Sequence, residues 1–116
     1  MANEELPLFV HWEKTLADLL DRTLKFPKSV RFTFSTRIDN YALDVMEGIV
    51  EARYTAPPAK REVLKSIDMK LTKLRILLRI CHDRKYLSHG GFEHAMRNID
   101  EAGRMVGGWR KQQDRQ

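Results

Sequence analysis

The sequence has one cysteine, four prolines and six glycines in 116 residues. A lone thiol, Cys81, cannot close an internal disulfide, so a packed core must hold the fold, and the scarcity of thiols fits a reducing compartment. So little proline and glycine excludes collagen-like, low-complexity and disordered classes. No apolar run exceeds three residues, as in Ile76-Leu77-Leu78, whereas a membrane span needs about twenty. Near the N-terminus, Glu4-Glu5 stand where a secretory signal would carry Lys or Arg followed by an apolar stretch. The expectation is one domain, cytoplasmic, with no membrane partner.

Histidine is scarce as well. His11, His82, His89 and His94 include no pair at i, i+4, and Cys81 beside His82 is not a zinc motif, so no metal and no cofactor is expected. Cys81 falls on an apolar stripe and reads as a small core residue. Some helical ribonucleases carry Arg, then four to six residues, then His; Arg84 to His89 fits that spacing, and so does Arg75 to His82. With 12 arginines in the chain, matches of this kind are expected from composition alone. No catalytic residue is assigned, because a general acid or base also needs a positioned partner.

What is abundant is positive charge in one place. Residues 60–85 hold nine bases (Lys60, Arg61, Lys65, Lys70, Lys73, Arg75, Arg79, Arg84, Lys85) against Glu62, Asp68 and Asp83, a local +6 within a chain of formal net charge +5. Such a strip suits a polyanion such as nucleic acid, through phosphate neutralisation. A solvated helix face would give the same count.

Apolar residues recur at three and four throughout, so the spacing predicts helices over about 7–23, 29–54, 59–84 and 88–110, with a polar tail 111–116. The expected core stripes are Phe9, Trp12, Leu16, Leu19, Leu20 and Thr23; then Phe34, Ile38, Tyr41, Ala42, Val45, Ile49 and Ala52; then Leu64, Ile67, Leu71, Leu74, Leu78 and Cys81; then Phe92, Ala95, Ile99, Ala102, Val106 and Trp109. Pro27 and Pro57-Pro58 break the chain between segments, Ser88 is a plausible N-cap, and Gly107-Gly108 should loosen the end of the last helix. Gly48 costs its helix about 1 kcal/mol against Ala, which a close helix approach would explain. Short connections between four helices imply an antiparallel up-down-up-down four-helix bundle, an all-α fold.

Two further apolar stripes fall outside the core: Phe32, Leu43, Met46 and Val50 on the second helix, and Met69, Ile76 and Ile80 on the third. One small bundle cannot bury both, so a homo-oligomer is expected. The candidate binding residues for nucleic acid lie on basic stripes: Arg61, Lys65, Arg75 and Arg79 on the third helix, and Arg97, Arg104 and Lys111 on the fourth. Asp44, Glu47 and Glu51 give the second helix an acidic side.

Several phrases carry a resemblance. Residues 26–34 (Phe-Pro-Lys-Ser-Val-Arg-Phe-Thr-Phe), Arg37-Ile38-Asp39-Asn40 and Glu51-Ala52-Arg53-Tyr54 resemble the accessory variability determinant (Avd) family of diversity-generating retroelements. So do residues 74–79, Tyr86-Leu87-Ser88 and residues 100–109, and the similarity covers about 6–112. The resemblance implies a four-helix protomer related to ribosomal RNA intervening-sequence proteins, assembled as a pentameric barrel, with no catalytic activity of its own. It further implies binding of the retroelement reverse transcriptase and its template RNA, with DNA as a further candidate, through a basic surface that matches Arg75, Arg79 and Arg104. An intervening-sequence-type RNA-binding or structural bundle without a reverse transcriptase partner remains the alternative.

Overall fold

The computed structural model describes residues 5–115, and those residues form four α-helices with no strand among them: α1 (Glu5–Thr23), α2 (Thr36–Tyr54), α3 (Ala59–Asp83) and α4 (His89–Asp114). Each helix packs on its sequence neighbours and α4 closes the bundle against α1, giving the expected antiparallel up-down-up-down arrangement, 46 Å along its longest axis. No helix among the described residues is long and apolar enough to cross a membrane.

The core follows heptad logic most closely on α3, where all six expected residues, Leu64 to Cys81, are buried. Trp12 and Trp109 are the largest fully buried side chains. Trp12 Nε1 donates to Ala42 O at 2.9 Å, tying α1 to α2 inside the core. Gly48 lets α3 come close to α2, since a Cβ there would stand 2.8 Å from Ile67 Cγ1.

Three features differ from the sequence-based expectation. On α1 the deepest residues are Leu8, Trp12, Thr15, Leu19 and Thr23, while Phe9, Leu16 and Leu20 are only partly buried at the edge toward α2. The segment from residue 29 is not yet α-helix: Lys28–Val30 is a 3₁₀ turn and Arg31–Ser35 a π turn, and α2 proper starts at Thr36. Thr36 Oγ1 donates to Arg31 O at 2.6 Å within that wide turn. Finally, Gly107-Gly108 do not loosen α4, which runs on to Asp114. Trp109 and Gln113 beyond them are buried, and that packing outweighs the cost of about 1 kcal/mol per helical glycine.

Both connections at one end of the bundle are built from side chains. Phe26 and Phe34 pack on Tyr86 with ring centroids 6.2 and 6.0 Å away, joining the α1–α2 link to the α3–α4 link. α3 ends with Tyr86 N–H donating to Cys81 O at 2.9 Å and Lys85 left-handed at φ 66°, a position that favours glycine. Ser88 caps α4 as expected, accepting from Gly91 N at 3.1 Å.

Candidate functional site

The edge where α3 meets α4 carries a charged seam. Positions 61, 68, 75 and 82 recur every seven residues, so they stay on one side of the helix. Arg61 Nη2 donates to Gln113 O at 3.3 Å and its Nε stands 3.5 Å from Asp114 Oδ1. Arg110 Nη1 donates to Asp68 Oδ2 at 2.8 Å, and Arg75 Nε to Asp100 Oδ1 at 2.9 Å. At the last turn His82 stacks on Phe92, centroids 4.4 Å apart. Arg104 turns back along α4 onto Glu101. Three of the seven candidate bases, Arg61, Arg75 and Arg104, are thus paired with carboxylates, each partly exposed and worth at most about 1 kcal/mol.

The other four differ. Lys65, Arg79, Arg97 and Lys111 are exposed and make no ion pair among the described residues. Lys65 and Arg79 flank the outer face of α3. Opposite charge is gathered elsewhere: Asp44, Glu47 and Glu51, joined by Glu62 of α3, line a groove of ≈ 450 Å³ between α2 and α3 with Lys70 as its base. That groove repels a polyanion, so the charges are segregated by face.

A second basic surface escapes a segment-by-segment reading. The chain reversals bring Lys25, Lys28, Arg31 and Arg37 to the same end of the bundle as Arg84 and Lys85, and all six are exposed. Asp21 and Asp83 are exposed at this end too. Asp39 instead accepts from Thr23 Oγ1 at 2.6 Å; burial raises its pKa and that hydrogen bond opposes the rise. The bases come from two connections about fifty residues apart, so only the up-down-up-down topology could have revealed the cluster. Phe32 stands among them in the π turn, 86% exposed.

The expected interface stripes are also located. Leu43, Val50, Met69, Ile76 and Ile80 are exposed, but Met46 is only half-exposed and packs against the core, so its share of the outer stripe is small. Val50 lines a largely apolar groove between α1 and α2 with Leu6, Phe9 and Tyr54. Leu6, Val10 and Leu24 on α1 are exposed apolar residues that the sequence reading did not single out.

Groups with chemical potential are engaged. Burial pushes the Cys81 thiol up to about 11, so it stays a neutral core residue near pH 7. Arg84 Nε donates to Tyr86 Oη at 2.8 Å and Arg75 to Asp100, so in each Arg/His spacing the guanidinium is held by another group.

A model of the bAvd-like family matches residues 10–113. The chain belongs to the bAvd-like family. The match supports an Avd-type accessory protein, and that family is of an accessory, non-catalytic type. No curated protein sequence matches it. In this bAvd-like chain the phrase at residues 26–34 divides its labour: Phe26 and Val30 are buried in the end of the bundle, while Lys28, Arg31 and Phe32 face solvent.

Proposed function

We propose that this chain serves a diversity-generating retroelement in the cytoplasm, binding the element's reverse transcriptase and template RNA through its basic surface to support mutagenic cDNA synthesis. The observation that carries this reading is the segregation of charge in a chain of this family. Lys65, Arg79, Arg97, Lys111 and the six bases at the bundle end stand without carboxylate partners among the described residues, while acids gather in the α2–α3 groove. Bases without a carboxylate partner can each neutralise a phosphate and release its counterion, although Arg84 also donates to Tyr86. Arg61, Arg75 and Arg104 must first leave a carboxylate, so they contribute less. Binding is steeply salt-dependent and weakly sequence-specific, and DNA competes on the same terms.

The test is RNA binding and reverse transcriptase capture by two charge-reversed variants, K65E/R79E/R97E and K28E/R31E. Each should weaken association about tenfold or more at moderate salt and flatten the salt dependence by about one unit per contact removed. Both variants binding RNA and enzyme as the parent does would sink the reading. RNA binding with no capture of the enzyme would instead favour the intervening-sequence-type alternative.

Self-association belongs to the same reading. The outer face of α3 (Met69, Ile76, Ile80) and the α1–α2 face (Leu6, Val10, Leu43, Val50) lie on different sides of one protomer. Contact between unlike faces is heterologous and gives a ring when the rotation between neighbours closes, the form that the pentamer implied by the family resemblance requires. Phe32 is placed at the basic end in this reading, away from the middle of either face.

A further inference from the structure

We propose that His82 and His89 form a two-histidine site for a divalent transition cation of the Zn²⁺, Ni²⁺ or Cu²⁺ kind, bridging the last turn of α3 and the first residue of α4. His82 Nε2 and His89 Nδ1 face each other at 3.3 Å, with ring centroids 5.3 Å apart. Two imidazole nitrogens bound about 2.05 Å from one tetrahedral ion stand about 3.3 Å apart, with centroids about 5.2 Å apart. The two rings therefore already stand at nearly the separation a shared cation requires.

The far nitrogens strengthen the assignment. His89 Nε2 lies 2.8 Å from Glu93 Oε1, and His82 Nδ1 lies 3.9 Å from Asp83 Oδ1. The Glu93 carboxylate on the second ring nitrogen of His89 favours the tautomer that leaves its Nδ1 free to ligate, whereas Asp83, at 3.9 Å, is too far to hydrogen-bond His82. Stacking on Phe92 fixes the plane of His82. Lys85 is the charge at this opening that opposes a cation; the Arg84 guanidinium is turned onto Tyr86. No group of three or more His, Cys, Asp or Glu among the described residues could hold a metal. Water must complete the coordination, and the open cavity beside the pair, floored by Leu87 and Ser88, leaves room for it. The i, i+4 rule overlooks this pair because its members sit seven residues apart across a turn. His11 and His94 are engaged separately, by Asn98 O at 2.8 Å and Asn98 Nδ2 at 3.1 Å.

Calorimetric titration of the untagged protein with Zn²⁺ or Ni²⁺ tests the site. The expected result near neutral pH is one ion per chain. His89→Gln, at a side chain 71% exposed and outside the core, should abolish binding, and His94→Gln should leave it intact. Glu93→Gln should weaken it about tenfold through the ring it orients. Circular dichroism confirms that each variant keeps its helices. No saturable binding up to millimolar metal, or binding in His89→Gln equal to the parent's, overturns the proposal.

Discussion

The Arg75 guanidinium is seated over Gly103: its Nη2 occupies a point 2.7 Å from where a Cβ on residue 103 would stand, while its Nε holds Asp100 at 2.9 Å. Gly48 leaves space in a different way, for Ile67, a core side chain that is 2% exposed. The two glycines should therefore respond differently to alanine. Gly103→Ala displaces the end of a flexible side chain and loses an ion pair worth at most about 1 kcal/mol, offset by a helix-propensity gain of similar size. Gly48→Ala overpacks a rigid contact and should cost about 1–2 kcal/mol net. Urea unfolding of both variants decides it, and equal losses would show that the Arg75 seat is as rigid as the core.

The two buried tryptophans offer a second comparison. Trp12 Nε1 is bonded to Ala42 O, whereas buried Trp109 Nε1 has no hydrogen-bond partner among the described residues. Replacing either by Phe removes similar volume. Trp12→Phe should therefore be the more destabilising by about 1 kcal/mol, the net worth of a buried hydrogen bond. Thermal melts giving the opposite order would contradict the pairing.

Lys85 adopts a conformation that costs a side-chain-bearing residue about 1 kcal/mol. Lys85→Gly should raise stability by up to that amount while removing one base from the basic end. If that end binds RNA, the more stable variant binds less tightly at low salt, a trade that anisotropy and melting measurements on the same sample would display.

Cys81 couples stability to alkaline pH. Its thiol ionises at about 11 in the fold against the ordinary 9.0. The folded state therefore keeps its proton where the unfolded state loses it, so its contribution is complete below pH 9 and declines between 9 and 11. The parent should lose stability over that window more steeply than Cys81→Ala, and its thiol should react with aromatic disulfides at neutral pH only on unfolding. Rapid modification of the native protein would show the side chain to be accessible.

Heterologous assembly makes a prediction that a symmetric dimer does not. Ile76→Glu spoils one face and Val50→Glu the other, so each variant alone should fall to smaller species with its helicity kept. Mixed together, they retain one intact pair of faces and should form a one-to-one complex by light scattering. Failure of the mixture to associate would argue against a ring built from these two faces.

How much of this was legible in the sequence varies with the element. On α3 every heptad position is a large aliphatic or Cys81, so period alone determined its buried face. On α1 large apolar residues also spill toward α2, which drew the expected stripe to Phe9, Leu16 and Leu20 and away from Leu8 and Thr15. The π turn at Arg31–Ser35 has no periodic signature, and Gly107-Gly108 mislead because the anchorage of Trp109 is tertiary. For the candidate site, residue types announced the bases but not their company. Whether Arg75 or Arg79 stands free depends on which α4 residue lies opposite, a matter of interhelical register.

That register is itself guarded. The apolar stripes of α3 and α4 repeat every seven residues, so sliding one helix past the other by a heptad would match leucine to aliphatic almost as well as before. The seam would not allow it. Along α3 its signs run positive at Arg61, negative at Asp68 and positive at Arg75, met by Asp114, Arg110 and Asp100. A slip of one heptad in one direction sets Asp68 against Asp100, and in the other sets Arg75 against Arg110 and Asp68 against Asp114. The alternating charges act as a parity check, rejecting the near-miss alignments that a periodic core cannot distinguish.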